Sequence, residues 1–578
     1  MASAELDNPP RDLSDQRPSL TLLLKKAMYQ CPYDVNTTFL PDNEIGRVMT
    51  SEYVEDFLIS SGQEVLRANC SQITKHVCGQ PGSSNLHGTS RRIFAILLIV
   101  EEPTKILDII REGIDDTALP IRRVDSDEEC LLARKTSSKP ILIPSLCAWP
   151  LALRYAFYHN QWRVQAPVFL KGGSSLENHP IHRLDSDIVF PWTDYEKKYD
   201  GNSEVVRVKI HEAHCQFDAD ENRPLALKSH KPIKSATLDK DFEFRLEVEA
   251  NLKVKRRRHL EAGLLTTFEY RERYHMLFRW ADGGSLNDLW RKRHPRPEVT
   301  YKWICWLAQQ CEGLAYGLGG IHDTRMTAED LQAIRSSPIS STSAQIATEP
   351  SPRTLAGDDD GRYYGRHGDI KPQNILWFEK DSNSFGLGDL KLSDLGLTTF
   401  QQAPTMEVSS KGVRVVPTYS APEREISGTL SQAFDIWSLG CIFLEFVTWI
   451  LVGAEGLDEF GDQRHKDGGS RDSRFNVDNF FLVIKEEEQI RAQVKPSVSN
   501  WIVHLKNMRD CSPFLSDVLG YIQTNMLLVD KEKRDNSDAV SKRLKGLFEK
   551  CQQNPGYALY RDAKELDEII ARASLATT

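Results

Sequence analysis

The chain has 578 residues, 40% of them hydrophobic and 27% charged, with a formal net charge of -9. That length exceeds one ordinary hydrophobic core, so two or more domains are expected. The modest negative charge argues against a general pull toward nucleic acid or acidic membranes, and eleven cysteines without a C-x-x-C pair argue against a disulfide scaffold and for a reducing, intracellular setting.

In chain order, residues 1–20 are polar, acidic and proline-bearing, which reads as a disordered N-terminus rather than a secretory leader. Residues 21–190 read as a mainly helical accessory region. The pattern predicts helices over 20–28 and 50–66, a buried run over 93–100 that suits strand or helix, and a helix over 104–113. No catalytic signature falls in this region, so binding of another protein is its expected role.

The texture changes near Trp192. Residues 205–210, 225–228 and 274–280 read as strands, and residues 241–252 as a helix. Residues 300–318 place Trp303, Ile304, Leu307, Cys311, Leu314 and Leu318 on one helical face, and Gly319-Gly320 is expected to end that helix. A Ser/Thr/Pro/Gly-rich stretch, about 325–361, reads as a disordered insertion, and 455–475 as a polar one. The apolar run 434–453 is long enough for a membrane span but contains Asp435 and Glu445, so a buried core helix is expected. Residues 554–578 form a C-terminal tail. Strands first and helices after predict an α+β domain.

The chemistry concentrates in His367-Gly368-Asp369-Ile370-Lys371-Pro372-Gln373-Asn374. A carboxylate, a cation two residues on and an amide five residues on supply a proton acceptor, a charge for phosphate and an oxygen ligand for a hard cation. Asp394-Leu395-Gly396 follows a short strand over 390–393; then come Ser420-Ala421-Pro422-Glu423 and Asp435-Ile436-Trp437-Ser438-Leu439-Gly440. In this order the segments resemble the catalytic loop, metal-binding motif, activation-segment end and central helix of eukaryotic protein kinases, serine/threonine type.

The resemblance implies a bilobal fold over 191–553, with an N-lobe over about 191–280 and a C-lobe over about 285–553, and it implies ATP and Mg2+ as cofactors and a protein substrate. By the same resemblance Asp369 is the base, Lys371 the cation near the γ-phosphate, and Asn374 and Asp394 the metal ligands. Lys228 matches the lysine on the ATP phosphates and Glu247 its partner, with Glu249 as the fallback. Phe278, Arg279 and Ala281 match the adenine hinge, Gly201 and Val205 the phosphate-covering loop and the strand after it, and Ala226 and Leu376 complete the ATP site. Glu423 is expected to pair with Arg534. Beyond the superfamily, the texture resembles a group of fungal kinase-domain proteins.

Two positions depart from the family pattern. Gly368 stands where an arginine usually receives an activation-segment phosphate, which implies activity independent of phosphorylation at Ser409, Ser410 or Thr418. Lys198, Asp200 and Ser203 stand where glycines are expected, which weakens phosphate binding. The competing reading is therefore a pseudokinase acting as a scaffold. His211-Glu212-Ala213-His214-Cys215 is one residue short of a metal-binding H-E-x-x-H, and the basic run 253–259 is expected to be a solvated loop.

Overall fold

The computed structural model describes residues 18–79, 88–126, 129–134, 141–172, 181–200, 203–217, 223–230, 240–254, 257–260, 263–327, 362–381, 385–395, 399–401, 408–409, 417–467, 478–486 and 489–559. Gly201, Gly396, Ser410 and most of the expected N-terminal disorder lie outside them.

Helices Leu20–Ala27, Ser51–Ser60, Cys70–Cys78, Arg91–Ile99 and Leu151–Gln161 enclose a core of their own. The apolar run beginning at Ile93 is helical and buried from Ile93 to Leu98, and the Asp116 carboxylate accepts the Arg92 and Ile93 N–H groups at its start, each at 3.0 Å. The helix expected over 50–66 is instead two, Ser51–Ser60 and Glu64–Ala68, because the chain turns at Gly62 with φ 72°. Three short strands, Arg122–Ser126, Glu129–Arg134 and Ile141–Leu142, add a small antiparallel sheet.

The main sheet has six strands: β1 (His182–Arg183), β2 (Trp192–Asp200), β3 (Ser203–Ile210), β4 (Leu225–Ser229), β5 (Thr266–Tyr270) and β6 (Arg273–Arg279), in the order β1-β5-β6-β4-β3-β2. All pairs are antiparallel except β1 with β5. The sheet thus takes one strand from before residue 191, inside the stretch read as accessory. Alternation in β4 sends Leu225 and Leu227 into a core with Val206, Val208 and Trp192, and leaves Ala226 and Lys228 on the other face. That second face meets helix α1 (Lys240–Lys253). The helical unit docks on the first: Tyr33 Oη donates to the Phe190 carbonyl at 3.3 Å and accepts its N–H at 3.0 Å, and Asp42 donates its N–H to His214 Nε2 at 3.2 Å. His214 and His211 stack edge-on against Phe39, so the His-rich segment packs this junction.

The remaining core is built around α2 (Tyr301–His322) and α3 (Gln432–Val452). Helix α2 runs through Gly319-Gly320 rather than ending there, and Gly319 lies against the Arg257 guanidinium. Helix α3 is buried from Phe434 to Ile450, which accounts for its apolar length as a core element.

The insertion expected from 325 begins later, because Arg325–Thr327 pairs with Arg362–Arg366, and residues 328–361 lie outside the described set. The polar stretch at 455 is helical over Ala454–Lys466, since Leu457 and Phe460 turn into the core. Residues 468–477 and 560–578 fall outside the described set, whereas Ala558 and Leu559 at the start of the expected tail are buried.

Candidate active site

Register decides which residues of the sheet face one another. Lys228 stands opposite Val205 and Met276, and Ala226 opposite Phe278. Directly opposed residues share a face, so Lys228, Val205, Ala226 and Phe278 line one surface of the sheet. After β6 the chain turns through Ala281, whose carbonyl accepts the Gly284 N–H at 3.1 Å; Leu376 then pairs with Ser285 on the strand Ile375–Phe378. Arg279 turns its side chain away to Asp381, at 3.1 Å. A Cβ on Gly283 would meet the Trp377 ring at 2.4 Å, so this bend requires glycine.

On that surface Lys228 Nζ lies 2.7 Å from Glu247 Oε1 and 2.7 Å from Asp394 Oδ1. Burial by itself would lower the lysine pKa, but the two carboxylates outweigh it and raise it, so Lys228 is a cation. Burial likewise pushes Glu247 up, and Lys228 and His230 reverse the direction, keeping it ionised. His230 Nε2 lies 3.1 Å from Glu247 Oε2. Glu249 instead pairs with Lys253 on its own helix, at 3.4 Å, which separates the two candidates.

A second group forms around Asp369. Lys371 Nζ donates to Asp369 Oδ2 at 2.7 Å, and Asn374 Nδ2 donates to the same oxygen and to the Asp369 carbonyl, each at 2.9 Å. Burial raises the Asp369 pKa above its ordinary value, against the opposing pull of Lys371. With the amide nitrogen of Asn374 committed to Asp369, its oxygen is the atom left for a cation.

The two groups are tied together. The Ser393 N–H and Oγ both donate to the Asn374 carbonyl at 2.9 Å, and the Ser393 carbonyl lies 3.1 Å from His367 Nε2. The next residue, Asp394, holds φ 64°, a left-handed turn that brings its carboxylate back to Lys228. Beneath, the buried Asp435 carboxylate accepts the His367 and Gly368 N–H groups at 2.8 Å each and lies 2.9 Å from His322 Nε2.

Several residues here carry no motif in the sequence. His230 is visible only as a histidine two places after Lys228, and His322 only as the end of a helical pattern. Among the described residues of the basic run, Arg257 bonds Asp323 at 2.5 Å, Arg258 bonds Glu312, and His259 lies 2.7 Å from the Leu390 carbonyl, so these three are held against the fold. A Cβ on Gly313 would fall 2.1 Å from the His259 ring, so α2 is notched to receive it. Arg534 forms a buried two-point bridge to Glu423, with both contacts at 2.8 Å.

Residues 366–544 match the protein kinase domain family. A 92-residue stretch is 41% identical to cyclin-dependent kinase E-1 of Arabidopsis thaliana, covering 15% of this chain and 19% of that protein. An 83-residue stretch is 37% identical to the probable cyclin-dependent kinase 8 of Dictyostelium discoideum, covering 14% and 21%. A 210-residue stretch is 27% identical to the G2-specific protein kinase fin1 of Schizosaccharomyces pombe, covering 36% and 26%. The chain therefore spans only about a fifth to a quarter of the relatives it matches. The family match encloses Asp369, Lys371, Asn374, Asp394, Asp435 and Arg534 in one segment, and the match and the kinase-named relatives support the eukaryotic protein kinase superfamily for that segment.

Proposed function

We propose that the chain is an ATP- and Mg2+-dependent serine/threonine protein kinase whose kinase domain spans about residues 191–553 in two lobes. The observation that supports this most is the triad of Lys228, Glu247 and Asp394, joined at 2.7 Å on either side of the lysine and linked through Ser393 to the Asp369–Lys371–Asn374 group. Phosphoryl transfer needs positioned charge more than covalent chemistry, and these residue types supply it.

In this reading Lys228, held by Glu247, neutralises the α- and β-phosphates of ATP, with adenine against the backbone of 279–281 beside Phe278. Asp369 orients the substrate hydroxyl and takes its proton, and Lys371 neutralises charge on the transferred group. The oxygen of Asn374 and the carboxylate of Asp394 would hold a hard cation such as Mg2+, which would supply charge neutralisation for the phosphates. The Asp369–Asn374 sequence favours Ser/Thr over Tyr as acceptor.

Gly368 offers no side chain to a phosphate on the activation segment. Thr418 donates its hydroxyl to Asp478 at 2.5 Å, and Tyr419 bonds Glu445 at 2.9 Å alongside. Arg464 pairs with Glu445 at 3.0 Å and reaches Asp478 at 3.8 Å, so the surrounding is mixed in charge, and the reading of activity independent of phosphorylation rests on Gly368.

The test is transfer from labelled ATP with Mg2+ to a generic basic protein, alongside Asp369→Asn and Asp394→Asn variants. Transfer by the parent and loss in both variants is the expected result. Absence of transfer together with absence of an ATP-dependent thermal shift would instead support a scaffold, the reading favoured by Lys198, Asp200 and Ser203 at the glycine positions.

A further inference from the structure

Helix α1 carries Glu247 and needs a support that keeps it close to β4. Part of that support comes from outside the region matched to the kinase motifs. Ile181 is buried in one cluster with Phe244 and Val248 of α1 and with Leu264 and Met276 beneath them. Val248 is the next residue after Glu247, and Met276 stands opposite Lys228 in the register. Immediately after Ile181, β1 adds to the open edge of the sheet: His182 pairs with Phe268, Arg183 with Glu269, and the Leu184 N–H donates to the Glu269 carbonyl at 2.8 Å. Arg183 Nε also donates to the Glu269 carboxylate, at 2.9 Å. Further along the chain, Phe190 ties back to Tyr33 of the helical unit through both of its backbone groups.

We infer that Ile181 is a positioning residue for the Lys228–Glu247 pair: the segment between the helical unit and the kinase domain forms a built-in prop under α1, so that the chain supplies its own brace for the helix. This rests on the kinase reading only for its effect on catalysis. The geometry itself concerns where α1 sits. An extra strand at a sheet edge fixes the height of Ile181, and Ile181 fills the gap between that strand and the face of α1 next to Glu247.

The experiment uses the full chain with Ile181→Ala, Ile181→Leu, Glu247→Gln and the Ile181→Ala/Glu247→Gln double variant. Hydrogen–deuterium exchange over residues 240–253 requires no activity. Faster exchange there in Ile181→Ala, with peptides of the 20–79 region unchanged and protection restored in Ile181→Leu, is the expected result. In phosphoryl transfer, Ile181→Ala should lower kcat about tenfold, and the double variant should be no slower than Glu247→Gln alone, because both changes act through one pair. Unchanged exchange over 240–253, or single losses that multiply in the double variant, would overturn the inference. Should Ile181→Ala fail to fold, Ile181→Val takes its place with the same pattern expected at smaller amplitude. If the parent neither transfers phosphate nor shows an ATP-dependent thermal shift, the kinase reading fails while the exchange result still decides the prop.

Discussion

Gly368 donates its backbone N–H to Asp435 Oδ1 at 2.8 Å from a backbone held at φ 80°. The left-handed geometry aims two successive N–H groups, those of His367 and Gly368, at one buried carboxylate. Glycine adopts it without the Cβ clash that costs other residues about 1–2 kcal/mol. The glycine therefore relaxes the loop at the point where, in the proposed kinase reading, no side chain receives a phosphate. Gly368→Arg is expected to destabilise the protein by about 1–2 kcal/mol without raising kcat. Thermal denaturation and phosphoryl-transfer rates measured together check this; a faster and equally stable Gly368→Arg variant would show that the missing arginine, and not the backbone, governs this position.

Arg534 and Glu423 form a fork-to-carboxylate pair that is almost wholly removed from water. Removing one partner leaves the other buried and uncompensated. Arg534→Met should cost about 3–5 kcal/mol of stability, measurable as a shift of the urea midpoint. Arg534→Met combined with Glu423→Gln should recover part of the loss, since the stranded charge is then gone. A double variant as unstable as the sum of the singles would mean that the guanidinium's bonds to the Leu528 and Ala433 carbonyls matter more than the pair.

Much of this arrangement was legible because it rests on local patterns. The motifs from His367 to Arg534 mark short stretches in which residue type and backbone geometry are fixed together, so their resemblance to kinase motifs, in the same order, located them. The strands around Lys228 could be read from residue type, and Glu247 is preferred because its separation of 19 residues from Lys228 suits a strand, a short loop and the middle of the next helix. What the sequence hid are contacts between distant segments. That Gly319 lies against Arg257, that His259 sits in the notch at Gly313, and that a strand at 182–183 completes the sheet are packing facts without a local signature. The polar segment at 455 misled for a related reason: Leu457 and Phe460 are two apolar residues among many charges, and only the cavity they fill makes them a helix face.

His259 illustrates how such a hidden contact responds to pH. Burial lowers its pKa from 6.5 to about 4, so the folded protein holds it neutral against the Leu390 carbonyl. Its folded-state pKa is depressed, so the unfolded chain binds the proton first as pH falls. The stabilisation is fully present above about pH 6.5 and is lost as pH falls toward 4, a loss on the order of 3 kcal/mol. Denaturant unfolding at pH 7.5 and pH 5 should therefore show a smaller difference in His259→Gln than in the parent. Equal differences would place the acid sensitivity elsewhere, for example at His275, which burial also lowers to about 4.

His230 sits on the far side of Glu247 from Lys228, with Nε2 3.1 Å from Oε2, and its ring stacks edge-on against Phe244 of α1 at 5.3 Å. In the kinase reading this close approach would help hold the glutamate beside the lysine. His230→Ala should raise KM for ATP several-fold while leaving the pH dependence set by Asp369 in place, and His230→Asn should restore part of the affinity. Steady-state kinetics with varied ATP decide; an unchanged KM would mean that Lys228 alone holds Glu247.

Asp369, the proposed proton acceptor, should show its environment in the pH dependence of transfer. Burial lifts the pKa of Asp369 above the ordinary carboxylate value, and Lys371 at 2.7 Å pulls it back part of the way. A base must be ionised to accept the hydroxyl proton, so activity is present above that raised pKa and declines as pH falls through it. The acid limb of kcat should therefore lie higher than for an exposed aspartate. Lys371→Met removes the cation that opposes burial, so its residual activity should show an acid limb displaced further upward, in addition to a lower plateau. An acid limb that stays in place in Lys371→Met would mean that the two side chains are not coupled during turnover, and that the 2.7 Å contact belongs to the resting site alone.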